Sequence, residues 1–111
     1  MHTTPNTIPS AVNDTASLLA SKITVPQHVV YRNFPAETVV LNLQTGKYHG
    51  LNASAGRMLD VLVGSDCVSV AAASLAQSYG QPREVIERDL CALCESLLAR
   101  GLIEQDGRQA A

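Results

Sequence analysis

The sequence predicts a small α+β domain in which three short antiparallel strands come first and three helices follow. Three observations carry this reading. Apolar residues alternate with a period of two only between Val29 and Leu51. After Asn52 the period becomes helical, with Met58, Leu59 and Leu62 on one face and Ile86, Leu90, Leu93 and Leu97 on another. Turn residues punctuate every transition: Pro35, Thr45-Gly46, Gly64-Ser65-Asp66, Gly80 and Gly101.

The first strand is Val29 to Arg32, entered after Pro26 and left before Pro35. The second is Glu37 to Leu43 and the third Lys47 to Leu51. A two-residue loop between the last two would pair Gln44 with Lys47 and Val40 with Leu51. A three-residue loop, Gln44-Thr45-Gly46, would place Gly46 in the left-handed position of a bulged hairpin, with Leu43 opposite Lys47 and Val39 opposite Leu51. The second register is preferred, because it joins Val39, Leu41, Leu43 and Leu51 into one core face.

Asn52 is suited to cap the first helix, Ala53 to Val63, by accepting from its free N–H groups. The second helix, Val68 to Tyr79, offers Val70, Ala73, Leu75, Ala76 and Tyr79 for packing and stops at Gly80. Pro82 fits the first turn of the third helix, and Glu84, Glu87 and Arg100 suit the charges at its ends. Val85, Asp89, Ala92 and Ser96 make a small, mixed flank on it. Three short strands cannot bury a face alone, so the helices must cover the sheet. The order resembles a winged helix-turn-helix with its sheet placed first.

Around this unit, 25–104, the ends read as tails. Residues 1–24 are rich in Thr, Asn, Pro, Ser and Ala and read as flexible, with one transient helical turn around Ala16–Ala20 and a solvated His2. Residues 105–111 read as a frayed C-terminus.

The chain has 111 residues, 46% hydrophobic and 16% charged, enough for one modest core. Its net charge of −2 argues against nucleic acid as partner. The third helix sets three arginines (Arg83, Arg88, Arg100) against four acids (Glu84, Glu87, Asp89, Glu95), which disfavours phosphate approach. No apolar run approaches the ~20 residues of a membrane span, and no signal peptide is evident. An odd count of three cysteines in such a chain suits free thiols and a cytoplasmic location.

Little here supports catalysis. Cys91-Ala-Leu-Cys94 reads C-x-x-C, but mid-helix rather than at a helix N-terminus, where thiols are activated. A zinc site needs about four ligands, and no second pair completes one. His28 and His49 have no sequence partner, and no serine sits in a nucleophile elbow. The expectation is no catalytic residue, no metal and no cofactor. What remains is a hairpin whose last strand forms an open edge, a template for an added strand from another chain.

The segments "VVLNLQTGKYHGLNASAGRMLDVLVGS", "VAAASLAQSYG" and "VIERDLCALCESLLARGLIE" together resemble the PqqD-like family over Val29 to Glu104. The resemblance implies a recognition element for ribosomally synthesised, post-translationally modified peptides. Such a protein binds the leader of a precursor peptide as an extra strand and delivers it to a modifying enzyme or leader peptidase. Carried over by position, the strand contacts are Lys47, Tyr48, His49, Gly50 and Leu51. The helix contacts are Val85, Arg88, Asp89, Ala92 and Leu93. The T-G-K-Y-H-G-L-N hairpin favours relatives from lasso-peptide pathways. The rival expectations are a winged-helix DNA-binding regulator, a thiol redox or metal protein using Cys91 and Cys94, and a structural homodimer paired through its edge strand; the protein itself is expected as a monomer or such an edge-strand dimer.

Overall fold

The computed structural model describes residues 15–106. The expectations for residues 1–14 and 107–111, His2 among them, lie outside the described residues. Three antiparallel strands form the main sheet in the order β2 (Val29–Asn33), β3 (Glu37–Asn42), β4 (Tyr48–Asn52). Three helices follow: α1 (Ala53–Gly64), α2 (Val68–Tyr79) and α3 (Arg83–Ala99). The architecture is the α+β arrangement expected. Helix α1 covers the inner face of the sheet through β3 and β4, and α2 bridges α1 to α3. The core between them is built from Val29, Val40, Leu51, Leu59, Leu62, Val68, Leu75, Ile86, Leu90 and Leu97.

The caps follow from local chemistry. Asn52 Oδ1 accepts from Ala55 N at 2.8 Å and starts α1 directly at the end of β4. Gly80 adopts φ 67°, the left-handed conformation that ends α2. Pro82 is the N-cap of α3 rather than a residue of its first turn, since Arg83 is the first helical residue. Val70, expected to pack, is 49% exposed.

The hairpin register differs from the one preferred from sequence. Thr38 faces Leu51, Val39 faces Gly50, Val40 faces His49 and Leu41 faces Tyr48. The loop has four residues, Leu43 to Gly46, and is closed by Asn42 N donating to Lys47 O at 2.9 Å. Asn42 is the cause. Its Oδ1 accepts from Gln44 N at 2.9 Å and Thr45 N at 3.2 Å, organising the backbone of the loop in an Asx turn. Lys47 N donates to Thr45 Oγ1 at 3.1 Å, and Gly46 takes φ 77°.

A one-residue slip exchanges the faces of a strand. Thr38, Val40 and Asn42 therefore point inward and are buried, while Leu43 is 56% exposed. Val39 and Leu41 lie half-buried on the outer face with Val30, and of the expected core face only Leu51 is in the core. Thr38 and Asn42 are tolerated inside because each is bonded. Thr38 Oγ1 donates to Asn33 Oδ1. Asn33 Nδ2 and Tyr31 OH each donate to Asp60 on α1 at 2.9 Å, tying β2 to that helix.

The inner ends of both expected tails are structured. Residues 15–19 are helical, and β1 (Lys22–Thr24) pairs antiparallel with β5 (Glu104–Asp106) in a separate two-stranded ribbon. The tail boundaries drawn at 24 and 105 therefore cut through a ribbon. Leu18 and Ile23 are buried, as are Leu102 and Ile103 on the other arm. Lys22 Nζ donates to Val63 O and Ser65 O, both at 2.7 Å, placing a cation on the carbonyls that end α1. Ser21 O accepts from Val68 N at 3.0 Å at the start of α2. Polar composition concealed these anchors, which need only a few apolar residues and one lysine.

Candidate functional site

Strand β4 is an edge strand: the sheet order leaves it paired with β3 on one side only among the described residues. It is short, and α1 follows it without a linking residue. Its side chains alternate as the pleat demands. Tyr48 and Gly50 share the outer face with Leu41 and Val39. His49 and Leu51 share the inner face with Val40 and Thr38. Tyr48 is 72% exposed, His49 is half-buried and Leu51 is a core residue. Leu51 therefore acts on the site by anchoring the strand. Lys47 is exposed and belongs to the end of the loop. A Cβ at Gly50 would meet only Glu37 Oε1, at 3.2 Å, so the bare backbone here is a surface feature rather than a packing requirement.

On α3 the buried stripe is Ile86, Leu90, Cys91, Cys94 and Leu97. Helical periodicity places Val85, Asp89 and Leu93 on one flank of that stripe, and Glu84, Glu87 and Glu95 on the other, next to Cys91 at the stripe's edge. Val85 and Leu93 are half-buried, and Asp89 is exposed. Arg88 and Ala92 occupy the exposed ridge. These two also line a groove of about 390 Å³ together with Thr15, Leu19, Glu84, Glu87, Cys91 and Glu95. Of the ten residues expected to form the site, Arg88 and Ala92 are thus brought together in that groove. Lys47 to Leu51 gather separately at the sheet edge.

The opposite wall of the groove, from the helical segment 15–19, was not anticipated as part of a site. Its signal was the Leu18-Leu19 pair within Ala16–Ala20, set in an otherwise polar stretch. The outer face of the sheet was also missed. Val30, Phe34, Leu43 and Tyr48 are about half exposed or more. Val30, Tyr31, Arg32, Phe34, Val39 and Leu41 line a hollow of about 430 Å³. Apolar residues at both parities of β3 were its signal.

The two thiols of the C-x-x-C pair are held in their neutral form. Burial pushes Cys94 up to about 12, helped by Cys91 and Glu95. Burial also raises Cys91, with Glu95 and Glu87 adding repulsion. A thiolate is the nucleophilic and metal-binding form, so the C-x-x-C pair serves as core packing, and all three cysteines are free. Among the described residues no three of His, Cys, Asp and Glu converge as a metal site, and no helix is long and apolar enough to cross a membrane.

An open strand edge, an exposed aromatic beside it and a grooved helix are features suited to holding an extended peptide. Solved structures of similar fold are known. TbiB1 in complex with the TbiA(beta) leader peptide is 30% identical, with a TM-score of 0.66 over 73% of this chain and 94% of that one. A lasso peptide synthetase B1 complexed with the leader peptide is 24% identical, with a TM-score of 0.67 over 75% of this chain and 98% of that one, a likeness of fold. No curated protein matches the chain. The family model for coenzyme PQQ synthesis protein D (PqqD) matches residues 37–103. That span holds the β3–β4 hairpin and all three long helices, more than half of the chain, and the protein therefore belongs to the PqqD family.

Proposed function

We propose that this protein is a leader-peptide recognition element that binds a ribosomally made precursor by strand addition at β4 and delivers it to a modifying enzyme or leader peptidase. The observation that carries this reading is the likeness, at 30% identity and over 94% of the other chain, to TbiB1 in complex with a leader peptide. The edge position of β4 supplies the physical means. Main-chain hydrogen bonds to the edge provide affinity without sequence information, and neighbouring side chains select the peptide. Lys47, Tyr48, His49 and Gly50 form the strand side of the surface, and Leu51 anchors it from the core. Val85, Arg88, Asp89, Ala92 and Leu93 form the helix side.

The role is non-catalytic and of the lasso-peptide type, carried out in the cytoplasm. The protein raises the local concentration of the precursor at the enzyme that acts on it. An affinity of about 1 µM, roughly −8 kcal/mol, is sufficient for that task.

The test is an NMR titration of isotope-labelled protein with the leader of the precursor encoded beside this gene. Saturable shifts at Lys47–Leu51 and along Val85–Leu93, absent with a scrambled leader, are expected. Gly50→Val and Asp89→Lys should each weaken binding about tenfold or more while preserving the folded spectrum. A folded protein that gives no shifts, or equal shifts with the scrambled peptide, overturns the proposal.

A further inference from the structure

We infer that the groove between the helical segment 15–19 and α3 is a side-chain subsite that takes one aliphatic residue of the leader together with a basic neighbour. The inference rests on the leader-binding reading and deepens it. Arg88 and Ala92 belong both to the proposed leader surface and to this groove. Arg88 and Ala92 stand on the exposed ridge between the Val85–Asp89–Leu93 flank and the groove, so a leader side chain reaches the groove by crossing that ridge.

The lining dictates the occupant. Leu19, Cys91 and Ala92 supply an apolar base, and Cys91 is held neutral by burial. Glu84, Glu87 and Glu95 stand around it, opposed within the lining only by Arg88. Glu87 is already engaged with Arg83 at 3.0 Å. Glu84 and Glu95 thus leave an excess of negative charge beside an apolar base, which favours a lysine or arginine next to an aliphatic side chain and disfavours an acidic one. At about 390 Å³ the groove has room for a large side chain and its neighbour.

The far wall is separable from the fold. Leu18 is buried, 4% exposed, and anchors the segment, as does Ser21 Oγ, which donates to Ser17 O at 2.6 Å. Leu19, one residue on, is only partly buried against the core and faces the groove. Leu19→Ala therefore removes groove surface while leaving the anchor in place.

The experiment uses full-length ¹³C-labelled protein and the unlabelled synthetic leader of the precursor encoded beside this gene. Intermolecular NOEs from the Leu19 and Ala92 methyls to a single leader side chain are expected. Leu19→Ala should weaken binding about tenfold. Glu84→Gln combined with Glu95→Gln should weaken it several-fold at low salt, with the difference vanishing at high salt. Saturable binding with NOEs confined to β4, Val85 and Leu93, and parent affinity in Leu19→Ala, overturns the subsite and leaves leader recognition standing. Absence of saturable binding to the parent protein overturns leader recognition, and the subsite falls with it.

Discussion

Gly56→Ala tests whether helix α1 is held against the sheet by backbone contact. Gly56 is buried in α1 directly over Thr38 of β3. A Cβ at position 56 would lie 2.7 Å from Thr38 Cβ and closer still to Thr38 Oγ1. Carbon atoms in contact sit ~3.5–4.0 Å apart, so helix and strand must separate by roughly 1 Å. Thr38 has little freedom to yield: it is 2% exposed, and its hydroxyl is bonded to Asn33. Overpacking of this kind costs ~1–3 kcal/mol or more, while alanine returns about 1 kcal/mol of helix propensity. Rotating Thr38 away would forfeit a further ~1 kcal/mol of hydrogen bonding. A net loss of about 1–3 kcal/mol is expected, and each kcal/mol corresponds to roughly 4–8 °C in Tm for a domain of this size. Urea denaturation provides the assay, with Gly64→Ala as control, because a Cβ there meets nothing within 4 Å. The control should be neutral or stabilised. Equal stability of Gly56→Ala and the parent would refute the close-contact argument.

Three further outcomes are expected. Asn42→Ala removes the acceptor for Gln44 N and Thr45 N and should cost about 1–2 kcal/mol in chemical denaturation, with resonance changes centred on the β3–β4 loop. Above neutral pH, stability should fall. Burial, with Asp60 adding to it, raises Tyr31 to about 12, and burial raises Cys94 to about 12. The folded state keeps protons that the unfolded chain begins to lose near 9 for Cys94 and 10 for Tyr31, so this stabilisation is complete below those values and vanishes as pH rises towards 12. Denaturation midpoints measured from pH 8 to 11 should show this decline, shallower in Tyr31→Phe combined with Cys94→Ala. Finally, Cys94→Ala, at a fully buried position outside the groove, should lower stability by about 1–2 kcal/mol through lost packing and leave leader affinity within about twofold by titration calorimetry; loss of binding in a folded variant would restore a functional role for the C-x-x-C pair.

Local chemistry made much of this protein legible from its residues. Asn52 as a cap, Gly80 as a stop and the stripe of Ile86, Leu90 and Leu97 each depend on neighbours within a turn or two and are found where periodicity and capping place them; Leu93, expected in that stripe, lies half-buried on its flank. The α+β class and the edge hairpin follow from the order and spacing of such local signals, while the family entered as a resemblance of three segments that the family match over 37–103 bears out. Tertiary structure decided what depended on competition between distant or nearly equal partners. Val39, Val40 and Leu41 are all apolar, so hydrophobicity alone did not choose the face of β3; Asn42 did, by bonding two loop amides and moving the register. Lys22 and Ser21 appear unremarkable in a polar tail, yet their partners Val63, Ser65 and Val68 lie some forty residues away and draw β1 into the fold. The groove on α3 likewise exists only because residues 15–19 return to it. Sequence alone determined the three strands of the main sheet and the three long helices, because their energies are local; folding in three dimensions added the β1–β5 ribbon and segment 15–19 and decided which faces the elements show to a partner.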